Sequence, residues 1–360
     1  MDQLLVNLHY GDAVGNEALA IRGLLRRAGM VSEIFAEKVD DRLAAEARPA
    51  ASYPGCAAPE DVCLFHLAVG EVAPGIARDA SSRLVLVYHN VTPPEFFLGS
   101  SPELVRLGEE GRRLLAGFRD RAELALAKSE FSRGDLEGAG YRQTAVLPIL
   151  FDFSRYERAP APVARRLYGD GRRNLLFVGR LAPNKRVEDL IRAFAVYARH
   201  LDAGSRLLLV GSDAGQGRYR GALEQLAREL RVRDQVVFAG HVDDAELAAC
   251  YSVADLFLCL SEHEGFGVPL VEAMLFRVPV VAYDAGAVAE TLGGAGVLLR
   301  EKHPELVAEL AWTLLRDETA RRGILAGQDR RVAQLRSTDY GALLLERLGP
   351  VLGSPALGAR

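Results

Sequence analysis

Short apolar runs alternate with segments of helical periodicity along most of the chain. The run Leu4–Leu8 predicts a strand, and Gly11–Asn16 predicts a turn after it. Apolar residues then recur at helical spacing from Ala18 to Leu25, ahead of Gly29, which completes a β–loop–α unit. Further buried strands are predicted in the first half at Val62–Leu67, Leu84–Tyr88, Leu124–Ala127 and Ala145–Leu147.

The second half repeats this alternation more clearly. A helix is predicted where apolar residues line one face from Val187 to Ala198. Strands are predicted at Leu175–Val178, Leu207–Val210, Val236–Ala239, Asp255–Leu260 and Pro279–Tyr283. Strands that alternate with helices indicate parallel sheets covered on both faces, so the predicted fold class is α/β.

A segment without apolar periodicity, Phe151–Asn174, divides the chain into two halves of similar size. We therefore predict an N-terminal Rossmann-like domain over residues 1–152 and a C-terminal one over residues 153–339. The apolar helix from Tyr340 to Leu352 is expected to pack back on the first half, so that residues 340–360 join it. Ligands of open α/β sheets bind outside the carboxyl ends of the strands, so two such domains facing each other would enclose a central cleft.

Composition narrows the class of protein. The 360 residues are 49% hydrophobic and 26% charged, which is ordinary for a soluble globular protein. A formal charge of −4 does not favour a nucleic-acid partner. The four cysteines form no C-x-x-C pair, and we interpret them as buried or free thiols in a reducing compartment.

The expected location is the cytoplasm. The first residues show no signal peptide, and no apolar run approaches the ~18 residues of a membrane span. Peripheral contact with the inner face of a membrane stays open, because Arg112, Arg113, Arg119 and Arg121 cluster on a predicted helix with Leu114, Leu115 and Phe118. A solvated helix face is the alternative that we favour for that cluster.

The segment Ser261–Met274 is the most informative one. It follows a predicted buried strand and places Glu264 and Glu272 eight positions apart across a Gly-X-Gly turn, with a helix that opens at Pro269. The free N–H groups of such a turn and helix start can hold an anion or an oxygen-rich ligand. Phe266, between two glycines, is expected to be exposed, which suggests that the backbone must approach a ligand closely.

Three other turns follow predicted strands. The turn Gly179–Arg186 brings Arg180 and Lys185 to a strand end and a helix start, where side chains and helix dipole both favour phosphate. Gly11–Asn16 is a weaker candidate for a diphosphate, and a plain tight turn explains it equally well. His89 ends a strand and is expected to face the cleft, within reach of a sugar hydroxyl or a reacting oxygen, whereas we interpret His66 as structural.

Motifs in both halves resemble glycosyltransferase family 4, the glycosyl transferases group 1, which are retaining nucleotide-sugar enzymes of the GT-B fold. The resemblance extends from about residue 1 to residue 330 and is looser in the first half. The motifs that carry it are Val178-Gly179-Arg180 with Lys185, Val210-Gly211, Phe238-Ala239-Gly240, Glu264–Ala273, Pro279–Ala282, Gly286, Glu290, Ala127–Ser132 and Leu147-Pro148.

The resemblance implies roles for individual positions. Arg180 and Lys185 would hold the donor diphosphate and stabilise the leaving group, with Glu264 and His89 beside the reacting sugar. The other donor contacts that it implies are Gly15, Val242, Gly265, Phe266, Gly267, Val268 and Glu272, the last on the ribose hydroxyls. The predicted acceptor contacts are Asp12 and Asn16. They lie in the first turn, where the sequence departs from the family pattern: many relatives have a Gly-Gly pair and a His there, and this chain has Gly-Asp-Ala-Val-Gly-Asn.

The family's chemistry implies a UDP- or GDP-sugar donor and a glycan, lipid-linked or small-molecule acceptor, in polysaccharide or cell-envelope biosynthesis. Retention is pictured as same-face attack with the leaving phosphate accepting the acceptor's proton, so a pair of acid/base carboxylates is not needed. We find no D-x-D-type metal motif in a suitable place and expect neither a cofactor nor a catalytic metal. The alternatives are a GT-B sugar-nucleotide epimerase and a non-catalytic nucleotide-sugar-binding partner of a glycosyltransferase complex. A nicotinamide oxidoreductase lacks its dinucleotide fingerprint here.

Overall fold

A computed structural model describes residues 1–156 and 166–353 of the chain. It forms two compact units. The first contains Met1–Pro94, Glu103–Asp152 and the chain from Thr338 onward, and the second contains Glu95–Pro102 and Phe153–Ser337. The predicted boundary segment and the predicted C-terminal segment include residues 157–165 and 354–360 respectively, which lie outside the described residues.

The first unit contains a parallel seven-stranded sheet. Its strands are β1 (Asp2–Leu8), β2 (Ile34–Val39), β3 (Arg48–Pro49), β4 (Val62–His66), β5 (Arg83–Tyr88), β6 (Leu124–Ala127) and β7 (Thr144–Val146). Its helices are α1 (Ala13–Arg27), α2 (Ala73–Asp79), α3 (Pro102–Gly117) and α4 (Glu130–Gly138). The strand order is β3-β2-β1-β4-β5-β6-β7, so the order reverses between β1 and β4. Such a switch point opens a crevice at the carboxyl ends of the strands.

The second unit contains a parallel six-stranded sheet. Its strands are β8 (Asn174–Val178), β9 (Arg206–Val210), β10 (Val236–Gly240), β11 (Leu256–Cys259), β12 (Val280–Tyr283) and β13 (Val297–Leu299). Its helices are α5 (Val187–His200), α6 (Gly217–Glu229), α7 (Asp244–Ser252), α8 (Val268–Leu275), α9 (Val288–Leu292), α10 (Pro304–Arg316) and α11 (Glu318–Ser337). The order β10-β9-β8-β11-β12-β13 places its switch point between β8 and β11.

The C-terminal helix α12 (Tyr340–Leu352) packs on the first unit. Leu344 and Leu348 are fully buried in one cluster with Ile21 and Leu25 of α1. Arg347 adds a hydrogen bond from its Nε to the carbonyl oxygen of Val146, at 3.1 Å. The packing follows from the apolar stripe of the helix, which would otherwise remain exposed to water.

Burial along the strands explains why the sequence reads as unbroken apolar runs. Every residue of β4, β6, β9 and β11 is buried, as expected for strands with both faces covered. The charged member of β9, Arg206, is buried with its guanidinium 2.7 Å from the carboxylate of Asp170. Such pairing is the usual condition for burying a charge.

The four arginines for which peripheral membrane contact was the less favoured alternative all bind groups of the protein. Helix α3 ends at Gly117, so Arg119 and Arg121 lie beyond it, and the apolar Leu114, Leu115 and Phe118 are buried in the core. The arginines bind protein groups: Arg112 pairs with Asp135, Arg113 with Glu110 and Arg119 with Asp120, while Arg121 donates to backbone carbonyls. Within residues 1–156 and 166–353, no helix has the length and apolar character needed to cross a bilayer.

Candidate functional site

Two glycines let the loop after β8 pack directly on the loop after β9. A Cβ atom added to Gly211 would lie 2.0 Å from the carbonyl oxygen of Gly179, closer than any side chain tolerates. Backbone hydrogen bonds join the same loops, from Gly179 N to Val210 O at 2.9 Å and from Leu181 N to Ser212 O at 2.9 Å. This contact fixes the backbone on both sides of Arg180 at the carboxyl end of the sheet.

The loop after β8 carries two cations with different surroundings. Lys185 ends a 3₁₀ turn, and its Nζ lies 2.7 Å from Oε2 of Glu264, with side-chain exposures of 20% and 11%. Arg180 is exposed and has no hydrogen-bond or ion-pair partner for its guanidinium among the described residues. The structure therefore combines a partly buried ion pair with an available positive charge.

The backbone of Glu264 is held from a third loop. A Cβ atom on Gly286, which has φ +59°, would lie 2.4 Å from the carbonyl oxygen of Glu264, so only glycine allows this approach. The same carbonyl accepts a hydrogen bond from Ala287 N at 2.9 Å. The buried thiol of Cys259 lies 4.0 Å from Oε1 of Glu264, and burial raises the pKa of that thiol to about 11. Cys259 is therefore a neutral neighbour of the carboxylate.

The turn that starts α8 differs from its prediction in two respects. Gly267 precedes the helix with φ +93°, and Pro269 is its second residue, not its first. Phe266 is partly buried, not exposed, so its side chain has packing contacts of its own. Its carbonyl oxygen accepts a hydrogen bond from the hydroxyl of Thr291. Gly265, Gly267 and Val268 lie in this turn with the first amides of α8.

Glu272, on α8, is buried with 5% of its surface exposed. Its Oε2 accepts a hydrogen bond from the hydroxyl of Tyr251 at 2.7 Å, and its Oε1 accepts one from Tyr156. Both tyrosine rings contact Phe276, with centroid distances of 5.3 Å for Tyr251 and 6.0 Å for Tyr156. Burial raises the pKa of Glu272, against the two hydroxyl bonds that favour its ionised form.

The sequence motifs did not indicate these two tyrosines. Tyr251 lies on α7 and Tyr156 in the segment that precedes residues 157–165, so neither belongs to a recognisable motif. Val242 lies in the loop before α7 and is partly buried, while Asp243 caps that helix through the backbone N–H of Glu246. The predicted donor contact Val242 thus lies two residues before the helix that carries Tyr251, whose hydroxyl binds Glu272.

In the first unit, the predicted turn residues belong mostly to a helix. Asp12 is the N-cap of α1 and accepts a hydrogen bond from Gly15 N at 2.6 Å, so Gly15 and Asn16 lie in its first turns instead of in a loop. A Cβ atom on Gly15 would lie 2.7 Å from the carbonyl oxygen of His9. Packing therefore gives Gly15 a local reason to be glycine.

His89 follows β5 and joins a polar cluster that sequence reasoning missed. Its Nε2 lies 2.9 Å from Nδ1 of His66, and its Nδ1 lies 3.6 Å from Oε2 of Glu17. Lys128 completes the cluster with its Nζ 2.8 Å from Oε1 of Glu17. Burial and the charge of Lys128 lower the pKa of His89 well below its usual value, so the imidazole is neutral at pH 7.

The predicted residues therefore fall into two sets. Lys185, Glu264, the α8 turn and Glu272 belong to the second unit, where Lys185 and Glu264 are in contact. Asp12, Gly15, Asn16 and His89 belong to the first unit.

In the described part of the chain, no three His, Cys, Asp or Glu side chains are grouped as a metal site would require.

Comparison with known proteins relates the second unit to one family. Residues 165–330 match the model of the family described as glycosyl transferases group 1. The chain is 32% identical to a D-inositol 3-phosphate glycosyltransferase of Nocardia farcinica over 63% of its length and 52% of the relative. It is 35% identical to a 2-deoxystreptamine glucosyltransferase of Streptomyces kanamyceticus over 50% of its length and 46% of the relative. It thus spans about half the length of the curated relatives that it matches.

Solved structures match nearly the whole chain. Sucrose-phosphate synthase from Thermosynechococcus elongatus superposes with a TM-score of 0.74 at 19% identity, over 97% of this chain and 98% of that one. HepE from Anabaena in complex with UDP-glucose gives a TM-score of 0.73 at 21% identity, over 98% and 99%. At such identities the match shows the fold, which is GT-B, as predicted, with a Rossmann-like domain in each unit.

Proposed function

Because residues 165–330 match the model of the glycosyl transferases group 1 family, we propose that the chain transfers a sugar from a UDP- or GDP-linked donor to an acceptor, with retention of the anomeric configuration. The acceptor class is a glycan, a lipid-linked precursor or a small molecule. The process is polysaccharide or cell-envelope biosynthesis, and the location is the cytoplasm or the inner face of its membrane.

One observation carries the proposal. Lys185 forms a 2.7 Å ion pair with Glu264, and Arg180, on the same loop as Lys185, has no ion-pair partner among the described residues. Breaking a glycosyl–phosphate bond places negative charge on the departing diphosphate. Arg180 can pair with the diphosphate without losing a protein partner. Lys185 is partly buried, and its charge interacts more strongly with the diphosphate there than in water. A preorganised donor of this kind is commonly worth ~3–4 kcal/mol in the transition state.

The carboxylates and amides of the second unit supply the remaining donor contacts. The amides of Gly265, Phe266, Gly267 and Val268 precede and open α8, where free N–H groups and the helix dipole favour anions. In this proposal Glu264 bonds the donor sugar, Glu272 bonds the ribose hydroxyls, and Val242 lies at the base. Each oxygen of Glu272 has one tyrosine partner and retains capacity to accept a second hydrogen bond.

The roles proposed for residues of the first unit are those that the family resemblance implies. In this proposal Gly15 at the N-terminus of α1 binds the phosphates, His89 binds the sugar, and Asp12 and Asn16 bind the acceptor. The acceptor hydroxyl attacks the anomeric carbon on the face that the diphosphate leaves, and the leaving phosphate oxygen takes its proton. Since Arg180 and Lys185 provide the positive charge, the proposed reaction uses neither metal nor cofactor.

Two relatives and one fold neighbour suggest which substrates to try first. The names of the relatives specify D-inositol 3-phosphate and 2-deoxystreptamine as the compounds glycosylated, and HepE was solved with UDP-glucose. We therefore place UDP-glucose first among donors and small polyhydroxylated acceptors first among acceptors. This choice is part of the proposal, because the relatives are matched over about half their length.

The test is release of free nucleoside diphosphate from a panel of UDP- and GDP-sugars, with EDTA present, with and without acceptors. Acceptor-dependent release, with an α-configured product from an α-linked donor by NMR, supports retaining transfer. Conversion of the donor to an epimeric sugar would indicate an epimerase. Tight donor binding without either reaction, across the acceptor panel, would indicate a binding partner. A requirement for added Mg²⁺ would contradict metal independence.

A further inference from the structure

Five polar side chains meet inside the first unit. They are Gln3 of β1, Glu17 of α1, His66 at the end of β4, His89 after β5 and Lys128 after β6. Four of them are at most 1% exposed, whereas the side chain of His89 is 13% exposed. His89 is therefore the member of this cluster that a substrate can touch. Buried polar groups of this kind must satisfy one another, which makes their hydrogen positions deducible.

The amide of Gln3 sets the direction of the first hydrogen bond. Its Nε2 lies 2.9 Å from the carbonyl oxygen of Ala18, which can only accept, so the NH₂ group of Gln3 points there. Its Oε1 then faces Nε2 of His66 at 3.0 Å. Because an amide oxygen can only accept, His66 must carry its hydrogen on Nε2.

His66 passes this constraint to His89. A neutral His66 with its hydrogen on Nε2 has a lone pair on Nδ1, and Nε2 of His89 lies 2.9 Å from that atom. The ring planes are inclined by 15°, and the ring centroids are 5.1 Å apart, so the two nitrogens face each other nearly in the plane of both rings. His89 must therefore donate its Nε2 hydrogen to His66, which leaves Nδ1 of a neutral His89 without one.

The groups around His89 keep the ring neutral. Lys128, directly after β6, carries a buried positive charge. Burial together with that charge lowers the pKa of His66 to about 3 and the pKa of His89 well below its usual value. Glu17 of α1 is the facing carboxylate, but its Oε1 is taken by Lys128 and by the backbone N–H of Leu150. Its Oε2 lacks a hydrogen-bond partner among the described residues.

We propose that Gln3 and His66 are positioning residues that hold His89 with its hydrogen on Nε2, so that Nδ1 is a hydrogen-bond acceptor for a substrate hydroxyl. The role of Nδ1 as an acceptor for a substrate hydroxyl rests on the proposed sugar contact of His89. The position of the hydrogen on Nε2 does not depend on that contact. In the unligated protein, Nδ1 and the Glu17 carboxylate face each other as two acceptors. A hydroxyl that donates to Nδ1 removes this mismatch, whereas a fluorine at the same sugar position cannot.

The direct test is long-range ¹H–¹⁵N NMR of the unligated wild-type protein labelled on its histidine ring nitrogens. Signals of His89 are identified by their loss in His89→Gln. At pH 7 the inference predicts a protonated Nε2 and an unprotonated Nδ1 for both His66 and His89. A hydrogen on Nδ1 of His89, or a doubly protonated ring, would overturn it. Turnover is not needed, so a failed transfer assay with the predicted tautomer would reject only the proposed function.

A pair of variants tests whether Gln3 determines which ring nitrogen of His89 carries the hydrogen. Gln3→Met removes the acceptor of His66 at similar length, and a mixture of His89 tautomers is expected. Gln328→Met is the matched control, since Gln328 is also fully buried with two backbone partners but lies in the second unit. A single unchanged tautomer in folded Gln3→Met would refute the role of Gln3. If that variant does not fold, the wild-type spectrum still decides the tautomer.

Substrate analogues provide the functional readout. Donors with fluorine in place of one sugar hydroxyl at a time are compared with the parent donor. We expect one position at which fluorine raises the wild-type KM at least tenfold, and at which His89→Ala erases the difference between the two donors. Equal KM values for all analogues would show that no sugar hydroxyl donates to Nδ1.

Discussion

Lys185 and Glu264 are 79 positions apart in the sequence, and their charged atoms lie 2.7 Å apart in the structure. Three loops hold the pair in place, since Gly286 packs against the backbone of Glu264 and the glycine pair Gly179–Gly211 fixes the loop that leads to Lys185. A positive and a negative group are thereby presented together at the carboxyl ends of β8 and β11. This arrangement suits a substrate that has both a diphosphate and a hydroxylated sugar.

Lys185→Ala should mainly lower kcat, by about 10²–10³-fold, because the charge that stabilises the leaving diphosphate is lost. Steady-state kinetics with the best donor provide the measurement. Lys38→Ala is the matched control, since Lys38 is an exposed lysine of β2, and its kinetics should equal those of wild type. A Lys185→Ala enzyme with unchanged kcat would remove this residue from the proposed mechanism.

Glu272→Ala should raise the donor KM by about 10-fold or more, the effect of losing charge-assisted hydrogen bonds to the ribose. The change also removes the carboxylate oxygens that accept hydrogen bonds from the hydroxyls of Tyr156 and Tyr251, so the free energy of unfolding should fall. Tyr251→Phe separates the two effects, because it keeps the carboxylate and removes one of its supports. A lowered kcat with an unchanged donor KM in Glu272→Ala would contradict the proposed ribose contact.

Gly211→Ala should destabilise the second unit by about 1–3 kcal/mol or more, since its Cβ would lie 2.0 Å from a backbone oxygen and neither loop can give way cheaply. Urea unfolding measures the loss. Gly221→Ala on α6 is the control, because nothing lies within 4 Å of its added Cβ, and there stability should rise by roughly 0.5–1 kcal/mol. Equal stability of the two variants would mean that the loops do not meet as described.

Acidification should destabilise the first unit through His66. The folded-state pKa of this residue is lowered to about 3, below the ~6.5 of an unfolded histidine, so the unfolded chain binds more protons between these values. Stability therefore falls as pH decreases through that window, by up to ~1.4 kcal/mol per pH unit for this one group. The raised pKa of Glu17 acts in the opposite direction, so the comparison is made between wild type and His66→Gln. The slope of unfolding free energy against pH from 6.5 to 5 should be smaller in His66→Gln, and equal slopes would contradict the assignment.

Apolar periodicity predicted the strands and helices whose patterns are unbroken, and the observed β4, β5, β6, β8 and β9 match within one residue. It missed β2, because Ile34-Phe35-Ala36 is followed by Glu37 and Lys38. In the structure Glu37 accepts hydrogen bonds from the backbone amides of Glu71, Val72 and Ala73, a use that no local pattern reveals. The short β3 and β13 were missed because two or three residues cannot establish a period.

The candidate site was predictable where short motifs carry it and unpredictable where distant segments meet. Strand–turn–helix motifs indicated Arg180, Lys185, Glu264 and Glu272. Nothing local indicated that Lys128 would pair with Glu17, 111 positions away, or that two tyrosines would bind Glu272. The prediction that Phe266 is exposed was wrong, because contacts with the surrounding residues bury part of it and no local pattern reveals those contacts.

Binding of UDP and GDP to wild type, Lys185→Ala and Lys38→Ala, by calorimetry in the presence of EDTA, tests the central claim most directly. That claim is a preformed nucleoside-diphosphate site in the second unit, at the loop after β8 and the turn before α8. We predict that one diphosphate binds wild type and Lys38→Ala equally, and Lys185→Ala at least tenfold more weakly. Equal binding to all three proteins, or binding to none of them, would contradict it.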